Sequence, residues 1–245
     1  MNDKPSVLRE TDDAARRLAR ILIRSARYAA LAVIDPDTGF PSASRVLIGT
    51  DIDGTPVILV SALSAHTKAL SADPRASLLA GEPAKGDPLA YPRLTLQCLA
   101  ERVEAATALH ARLRTRFLVR HPKAALYIDF PDFGFFRLQP QAASLNGGFG
   151  RAYALPGEDF LIVSPANEAI AAQAEAIMHD LEGRRDEIAQ MVSATPGLQP
   201  KDDWRVCGID AAGFDLASGN RILRHEFAKP VHNLARADFY RCKIA

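Results

Sequence analysis

Asp53-Gly54 lies between two apolar runs, residues 45–50 and 55–61, both rich in β-branched side chains. Asp-Gly in that setting is among the strongest short-range hairpin signals. It commits this part of the chain to antiparallel sheet. The loop length decides the register. With a three-residue Ile52-Asp53-Gly54 loop and Gly54 left-handed, Asp51 pairs with Thr55. Arg45 then falls opposite Ser61 on one face, with Cβ atoms about 4.5–5.5 Å apart. A two-residue loop instead sends Ser61 to the face opposite Arg45. The second run leads into Ser64-Ala65-His66-Thr67-Lys68, which reads as a helix start with Ser64 as N-cap. In the first register a guanidinium, two hydroxyls, an ammonium and a helix N-terminus converge, the set that binds a phosphate dianion. The alternative is a solvated arginine beside an ordinary cap.

Around the hairpin the pattern stays antiparallel. Residues 28–34 read as an apolar strand closed by the turn Asp35-Pro36-Asp37-Thr38-Gly39. Asp73-Pro74 stops the short helix, 75–80 reads as a strand, and 82–92, with three prolines, as a loop. Over 93–103, Arg93, Thr95 and Gln97 share one face and Leu94, Leu96 and Cys98 the other. With 135–145 there are six β segments, which suit a small closed barrel better than an open parallel sheet. Thr11-Asp12-Asp13 opens an N-terminal helix with Ala14, Leu18, Ile21 and Leu22 at helical spacing, its Arg16, Arg17, Arg20 and Arg24 read as a solvated face. A second helix over 107–119 carries the stripe Leu109, Leu113, Phe117. From Arg93 to Lys123 there are seven Lys/Arg against Glu101 and Glu104, also read as a solvated face. The glycines of Gly147-Gly148-Phe149-Gly150 imply close backbone approach or a bulge, since no dinucleotide fingerprint follows.

A boundary near 153–157 divides the chain into 1–155 and 156–245. Beyond it, Ser164-Pro165 reads as N-cap and first helical residue, and Ile170, Ala174, Ile177 and Met178 mark a helix. A second helix over 185–192, three short strands and a last helix from Pro230 make an α-α-β-β-β-α unit.

Composition narrows the function. Lys+Arg 30 against Asp+Glu 29 gives a net charge of +1, which argues against nucleic acid or an anionic membrane as partner. Cys98, Cys207 and Cys242 are scattered with no C-x-x-C spacing, which argues for a reducing compartment and against a disulfide scaffold or structural zinc. No apolar stretch reaches membrane-spanning length, so a cytoplasmic protein is expected. No Ser-His-Asp, Cys-His or paired-carboxylate arrangement stands out, so no catalytic acid, base or nucleophile is assigned.

The segments S-R-V-L, S-A-L-S-A-H-T-K-A-L, D-P-R-A-S-L-L and R-L-T-L-Q, in this order and followed by G-G-F-G-R-A, resemble the FMN-binding split barrels related to pyridoxamine 5'-phosphate oxidase. Within them the chain most resembles the HugZ-like haem-utilisation branch. The resemblance runs from about Ala14 onward. It implies an α+β chain: a six-stranded antiparallel split β-barrel with flanking helices, then the small C-terminal domain. It also implies a homodimer with FMN at the subunit interface and a small-molecule substrate. By the resemblance Arg45, Ser61, Thr67 and Lys68 hold the phosphate and His66, Arg93 and Thr95 line the site. Arg137 and the glycines near Gly148 are the candidate contribution of the second subunit. The expected activity is that of an FMN-dependent oxidoreductase. The alternatives are a haem-binding or haem-degrading protein, with His225 or His232 as candidate iron ligands, a pyridoxamine 5'-phosphate oxidase, and a non-enzymatic flavin-binding dimer. The H-M-N-x-D-H motif of the branch is reduced here to His179, which weakens the haem expectation.

Overall fold

The computed structural model describes residues 8–83, 85–148, 150–195 and 197–234. Asp12 starts α1 (Asp13–Ser25), its carboxylate accepting from the Ala15 amide at 2.7 Å. The buried face is Ala15, Ala19 and Ile23, with Leu18 and Leu22 partly buried beside it, whereas Ala14 is exposed. The apolar stripe is therefore rotated from the expected one, because small alanines let the helix approach the barrel closely.

The barrel strands are β1 (Tyr28–Ile34), β2 (Pro41–Thr50), β3 (Pro56–Ser61), β4 (Arg75–Ala80), β5 (Arg93–Arg102) and β6 (Phe133–Asn146). The order β3-β2-β1-β4-β5-β6 closes through a β3–β6 pairing, and β7 (Ala152–Pro156) adds to the free end of β6. The six-stranded barrel expected from the sequence is present. Its interior is filled by alternate residues of each strand, among them Leu31, Ile48, Ile58, Leu78, Leu94, Leu96 and Leu138, all fully buried.

The three-residue register of the hairpin holds. Gly54 has φ +91, the Asp51 amide donates to the Thr55 carbonyl at 2.9 Å, and Thr50 pairs with Pro56. The ladder stops at Ile48–Ile58, however. Beyond that point β2 continues along β1 alone and β3 turns to β6. Arg45 therefore pairs with Ala30 and Ser61 with Phe133. The expected Arg45–Ser61 pair is not formed, because closing the barrel needs β3 to leave β2.

Between β3 and β4 lies α2 (Ala65–Ala72), and between β5 and β6 lies α3 (Ala108–Arg120). Thr107 caps α3, accepting from the His110 amide at 3.1 Å. Leu113 and Phe117 bury under it, with Phe135 packed edge-on to Phe117 at 5.6 Å. Gly148 has φ +100, and a Cβ there would lie 2.9 Å from the Ala90 carbonyl oxygen; this is the close approach that the glycine run implied.

The C-terminal part has its own core around Ile170, Ile177, Leu181, Val192, Ile209 and Leu216. It contains α4 (Asn167–Ala172), α5 (Ala174–Glu182), α6 (Arg185–Ser193) and a three-stranded antiparallel sheet of β8 (Arg205–Asp210), β9 (Gly213–Ser218) and β10 (Arg221–Glu226). Two sequence expectations change here. The first helix breaks at Gln173, which gives three helices before the sheet rather than two. Ser164 caps no helix at Pro165. Its hydroxyl donates to the Val231 carbonyl at 2.5 Å and accepts from the Ala166 amide, and the helix begins only at Asn167. The last expected helix, from Pro230, falls mostly outside the described residues.

The arginines read as solvated are the larger correction. They join the two parts of the chain in a buried ionic seam. Arg24, fully buried on α1, pairs with Asp210 of β8. Arg224 grips the same carboxylate through two bonds of 2.8 Å and reaches Asp215 at 3.3 Å, and Arg120 of α3 reaches Asp215 at 3.5 Å. At the seam's edge Arg20 and Arg17 pair with Glu226, and Arg16 with Asp159. Burial pushes the Asp210 carboxyl up, but Arg224 and Arg24 more than reverse this and hold it at about 2.

Candidate functional site

Antiparallel pairing places residues of successive strands in rows on one face of the sheet. The pairings Arg45–Ala30, Ala30–Leu79, Leu79–Thr95, Thr95–Ser144 and Ser144–Ala154 form one row on the outside of the barrel. Every member is exposed. Arg45 and Thr95 are three strands apart, about 14 Å along the sheet. The next row runs Ala43, Ala32, Ser77, Gln97, Ala142. Together they make a sheet face floored by alanine and serine, with Leu79 and Leu99 also exposed on it. Such a face is what a flat ligand or another protein surface can cover without clashing with long side chains.

Two shallow hollows mark it. One, of about 500 Å³, is lined by Ala32, Ser77, Gln97, Leu99 and Arg75. The other, of about 450 Å³, lies over Tyr28, Ala30, Arg45 and Leu79 and is bounded by Gly81 and Glu82. The Arg45 guanidinium stacks over the Tyr28 ring at 5.0 Å and forms no ion pair among the described residues. The stacking holds the cation at the edge of the face with its donors open.

The residues expected around a phosphate are only partly together. The Ser61 hydroxyl donates to Asp132 at 2.5 Å and accepts from the Leu63 amide. Thr67 is buried, and its hydroxyl donates to the Ser61 carbonyl at 2.7 Å; Ser64 does the same at 2.7 Å. Ser64 stands at the N-cap position with extended backbone, yet its side chain makes no cap bond to the helix. These hydroxyls fasten the strand–helix junction. Lys68 is exposed. His66 is half-buried, shares a hydrogen bond with Ser44 at 3.2 Å, and has its pKa lowered by that burial. Ser44 precedes Arg45 on β2, so in a pleated strand the two side chains leave on opposite faces. Arg93 and Thr95 share the outer face of β5, as their spacing indicated, and Arg93 also reaches the Leu89 carbonyl at 3.3 Å.

Arg137 lies elsewhere. It is held by Asp53 at 2.6 Å, Asp51 at 3.3 Å and the Thr55 hydroxyl at 3.2 Å, under the hairpin turn. His225 sits on β10 against Phe214 and Phe227, at 5.1 and 6.4 Å between rings, with its pKa lowered by burial, and His232 is exposed just before the end of the described chain. Neither lines the outer-face hollows. Among the described residues no group of three or more His, Cys, Asp or Glu is placed to hold a metal ion, and no helix is long and apolar enough to cross a membrane. Tyr28, Ala30, Leu79 and Ser144 were not singled out in the sequence. Only the strand order β2-β1-β4-β5-β6 brings them beside Arg45 and Thr95.

Residues 10–161 match the family model described as CREG, beta-barrel. Over 180 residues, 73% of this chain, the sequence is 36% identical to the non-canonical heme oxygenase HOZ, chloroplastic, of Arabidopsis thaliana. The match spans about half, 54%, of that relative's length. The solved structure of Atu2129 from Agrobacterium tumefaciens, a protein of unknown function, superposes with a TM-score of 0.79 at 30% identity over 95% of this chain and 96% of that one. A heme binding protein from Mycobacterium smegmatis gives a TM-score of 0.57 at 30% identity over 93% of this chain and 94% of the other. These matches bear out the split-barrel resemblance and its haem-utilisation branch.

Proposed function

The chain belongs to the CREG β-barrel family, and on that premise we propose that it is a haem-handling protein that binds haem on the outer sheet face and breaks it down oxidatively. The observation that carries this reading is the exposed row from Arg45 to Thr95, floored by Ala30, Ala32 and Ala43 with Leu79 beside Ala30 in the same row. A porphyrin needs a wide apolar floor for its ring and a cation for its propionates. Arg45, stacked on Tyr28 and without an ion pair among the described residues, supplies the second. Two relatives, at 30% and 36% identity, carry haem binding or haem oxygenase in their names. No described histidine lines either hollow, so the proposal assigns no iron ligand to this face. A second copy of the chain covering the same face would exclude water from the bound ring, the homodimer that the resemblance implies.

A second reading keeps the same face for FMN as an oxidoreductase cofactor acting on a small molecule. It is favoured by the hydroxyls of Thr95 and Ser144, adjacent on the row that begins at Arg45. The residues fit this group in part, since Ser61 and Thr67, expected at its phosphate, are engaged with Asp132 and with the Ser61 carbonyl. Bound flavin would supply hydride and electron transfer. The part of this chain is then to hold the phosphate with Arg45 and to orient the ring edge with Thr95.

The test is a visible spectrum of the purified protein and a haem titration. Haem binding gives a saturable Soret shift, and addition of ascorbate in air then bleaches it with release of a bilin. Arg45→Ala is expected to weaken haem binding by about tenfold or more, since a hydrogen bond to a charged group contributes about 1.5–3 kcal/mol. A flavin band that haem does not displace supports the second reading. Absence of a Soret shift, or Arg45→Ala binding haem as well as the wild type, overturns the first.

A further inference from the structure

A third cavity, of about 380 Å³, opens between α3, the α4–α5 pair and β8. None of the outer-face row lines it. Its walls combine small or apolar residues, among them Val119, Ala174 and Met178, with the charged Arg116, Arg120, Glu175 and Asp215. The volume falls within the range of small-molecule pockets.

Arg116 is the unusual group. It donates to the carbonyls of Thr50 at 3.1 Å, Ile209 at 2.9 Å and Asp51 at 3.5 Å, and has no carboxylate within 4 Å among the described residues. A guanidinium has five N–H donors, so two are left over. Burial lowers its pKa, and Asp210, Asp51 and Asp215 offset this only in part, from a distance. Each of those aspartates is already engaged: Asp210 by Arg24 and Arg224, Asp51 by Arg112 and Arg137, Asp215 by Arg224 and Arg120. Around the seam, Arg24, Arg112, Arg116, Arg120, Arg137 and Arg224 face four aspartates, Asp51, Asp53, Asp210 and Asp215. Glu168 touches Arg112 only from solvent. Glu175, on the cavity wall, is exposed and forms no ion pair with Arg116. A partly buried cation without a counter-ion is costly unless an anion completes it.

We propose that this cavity binds a small monocarboxylate with an apolar body, its carboxylate on Arg116 and its chain against Val119, Ala174 and Met178. The two N–H groups that Arg116 has left over are the number that a bidentate carboxylate accepts. A phosphate dianion would call for a second cation, and Arg120, the other one on this wall, is engaged with the Ile48, Arg24 and Ala26 carbonyls and with Asp215. The site is independent of what occupies the outer barrel face.

The test is calorimetric titration of the full chain with octanoate, and with octanol and inorganic phosphate as controls. Octanoate is expected to bind saturably at one site per chain, and neither control to displace it. Arg116→Lys weakens binding by about tenfold or more, since the bidentate contact is lost. Ala174→Leu, which fills the cavity without touching Arg116, abolishes it while the far-ultraviolet circular dichroism stays that of the wild type. Lack of saturable octanoate binding, equal binding by Ala174→Leu, or displacement by octanol or phosphate overturns the proposal.

Discussion

His121 should make stability fall steeply over a mildly acid range, above the one set by Asp210. The side chain is buried at the end of α3. Its Nε2 donates to the Ile48 carbonyl at 2.8 Å, and its ring lies 4.7 Å from that of Phe117. Burial pushes its pKa down, the bond to Ile48 resists, and Arg120, Arg27 and Arg205 push it further, to about 4. The unfolded chain keeps an ordinary value near 6.5. With the folded value depressed, the unfolded state takes up the proton first as pH falls. The stability tied to neutral His121 is therefore complete above pH ~6.5 and is lost as pH drops towards ~4. Between pH 7 and pH 4.5 this amounts to about 2 kcal/mol from the two pKa values. Asp210, held near 2, loses its contribution only below the ordinary aspartate range, so its window is lower. His66 and His225, both also lowered, share the upper window, so the difference between the wild type and His121→Gln isolates this group. Urea denaturation followed by far-ultraviolet circular dichroism at pH 7 and pH 4.5 measures it. The wild type should lose about 2 kcal/mol more than His121→Gln across that interval. Equal losses in the two proteins would refute the reasoning.

Two further outcomes follow from the seam and from the outer face. Asp210→Asn leaves Arg24 and Arg224 buried around a neutral amide, and a lower urea midpoint corresponding to about 3–5 kcal/mol is expected, with no change at the exposed Asp13–Arg16 pair as control. Leu79→Glu alters an exposed position in the middle of the Arg45–Thr95 row, so thermal stability should move by less than about 0.5 kcal/mol. Haem binding and self-association, measured by Soret titration and analytical ultracentrifugation, should both fall; preserved binding would remove this face from consideration.

Much of the barrel was legible because its signals are local. Asp53-Gly54 marked the turn and left two registers, of which the three-residue one is formed, the alternation in β5 put Arg93 and Thr95 on one face, and the polar residues at Asp12 and Thr107 marked where two helices open. The site was less legible because it depends on which strands are neighbours. Counting outward from the hairpin put Arg45 beside Ser61, but β2 and β3 part company at Ile48–Ile58, and nothing local in either strand announces that. The arginines of α1 and α3 misled for a related reason. Their spacing looks like that of a solvated face, and the carboxylates that bury them lie in β8, β9 and β10, far along the chain.

Strand β6 pairs with β5 along most of its length, with β3 at one end and with β7 at the other. During synthesis this sets an order of events. Ser61 has left the ribosome long before its partner Phe133 exists, so the nascent chain carries β3 and β5 as two open sheet edges until β6 emerges. The segment made in that interval includes α3, whose Phe117 packs on Phe135 of the strand still to come. Closure of the barrel is thus a late, long-range step that meets a large loop-closure cost. A chain stalled or cut anywhere before Asn146 is left with adhesive edges rather than a smaller stable barrel.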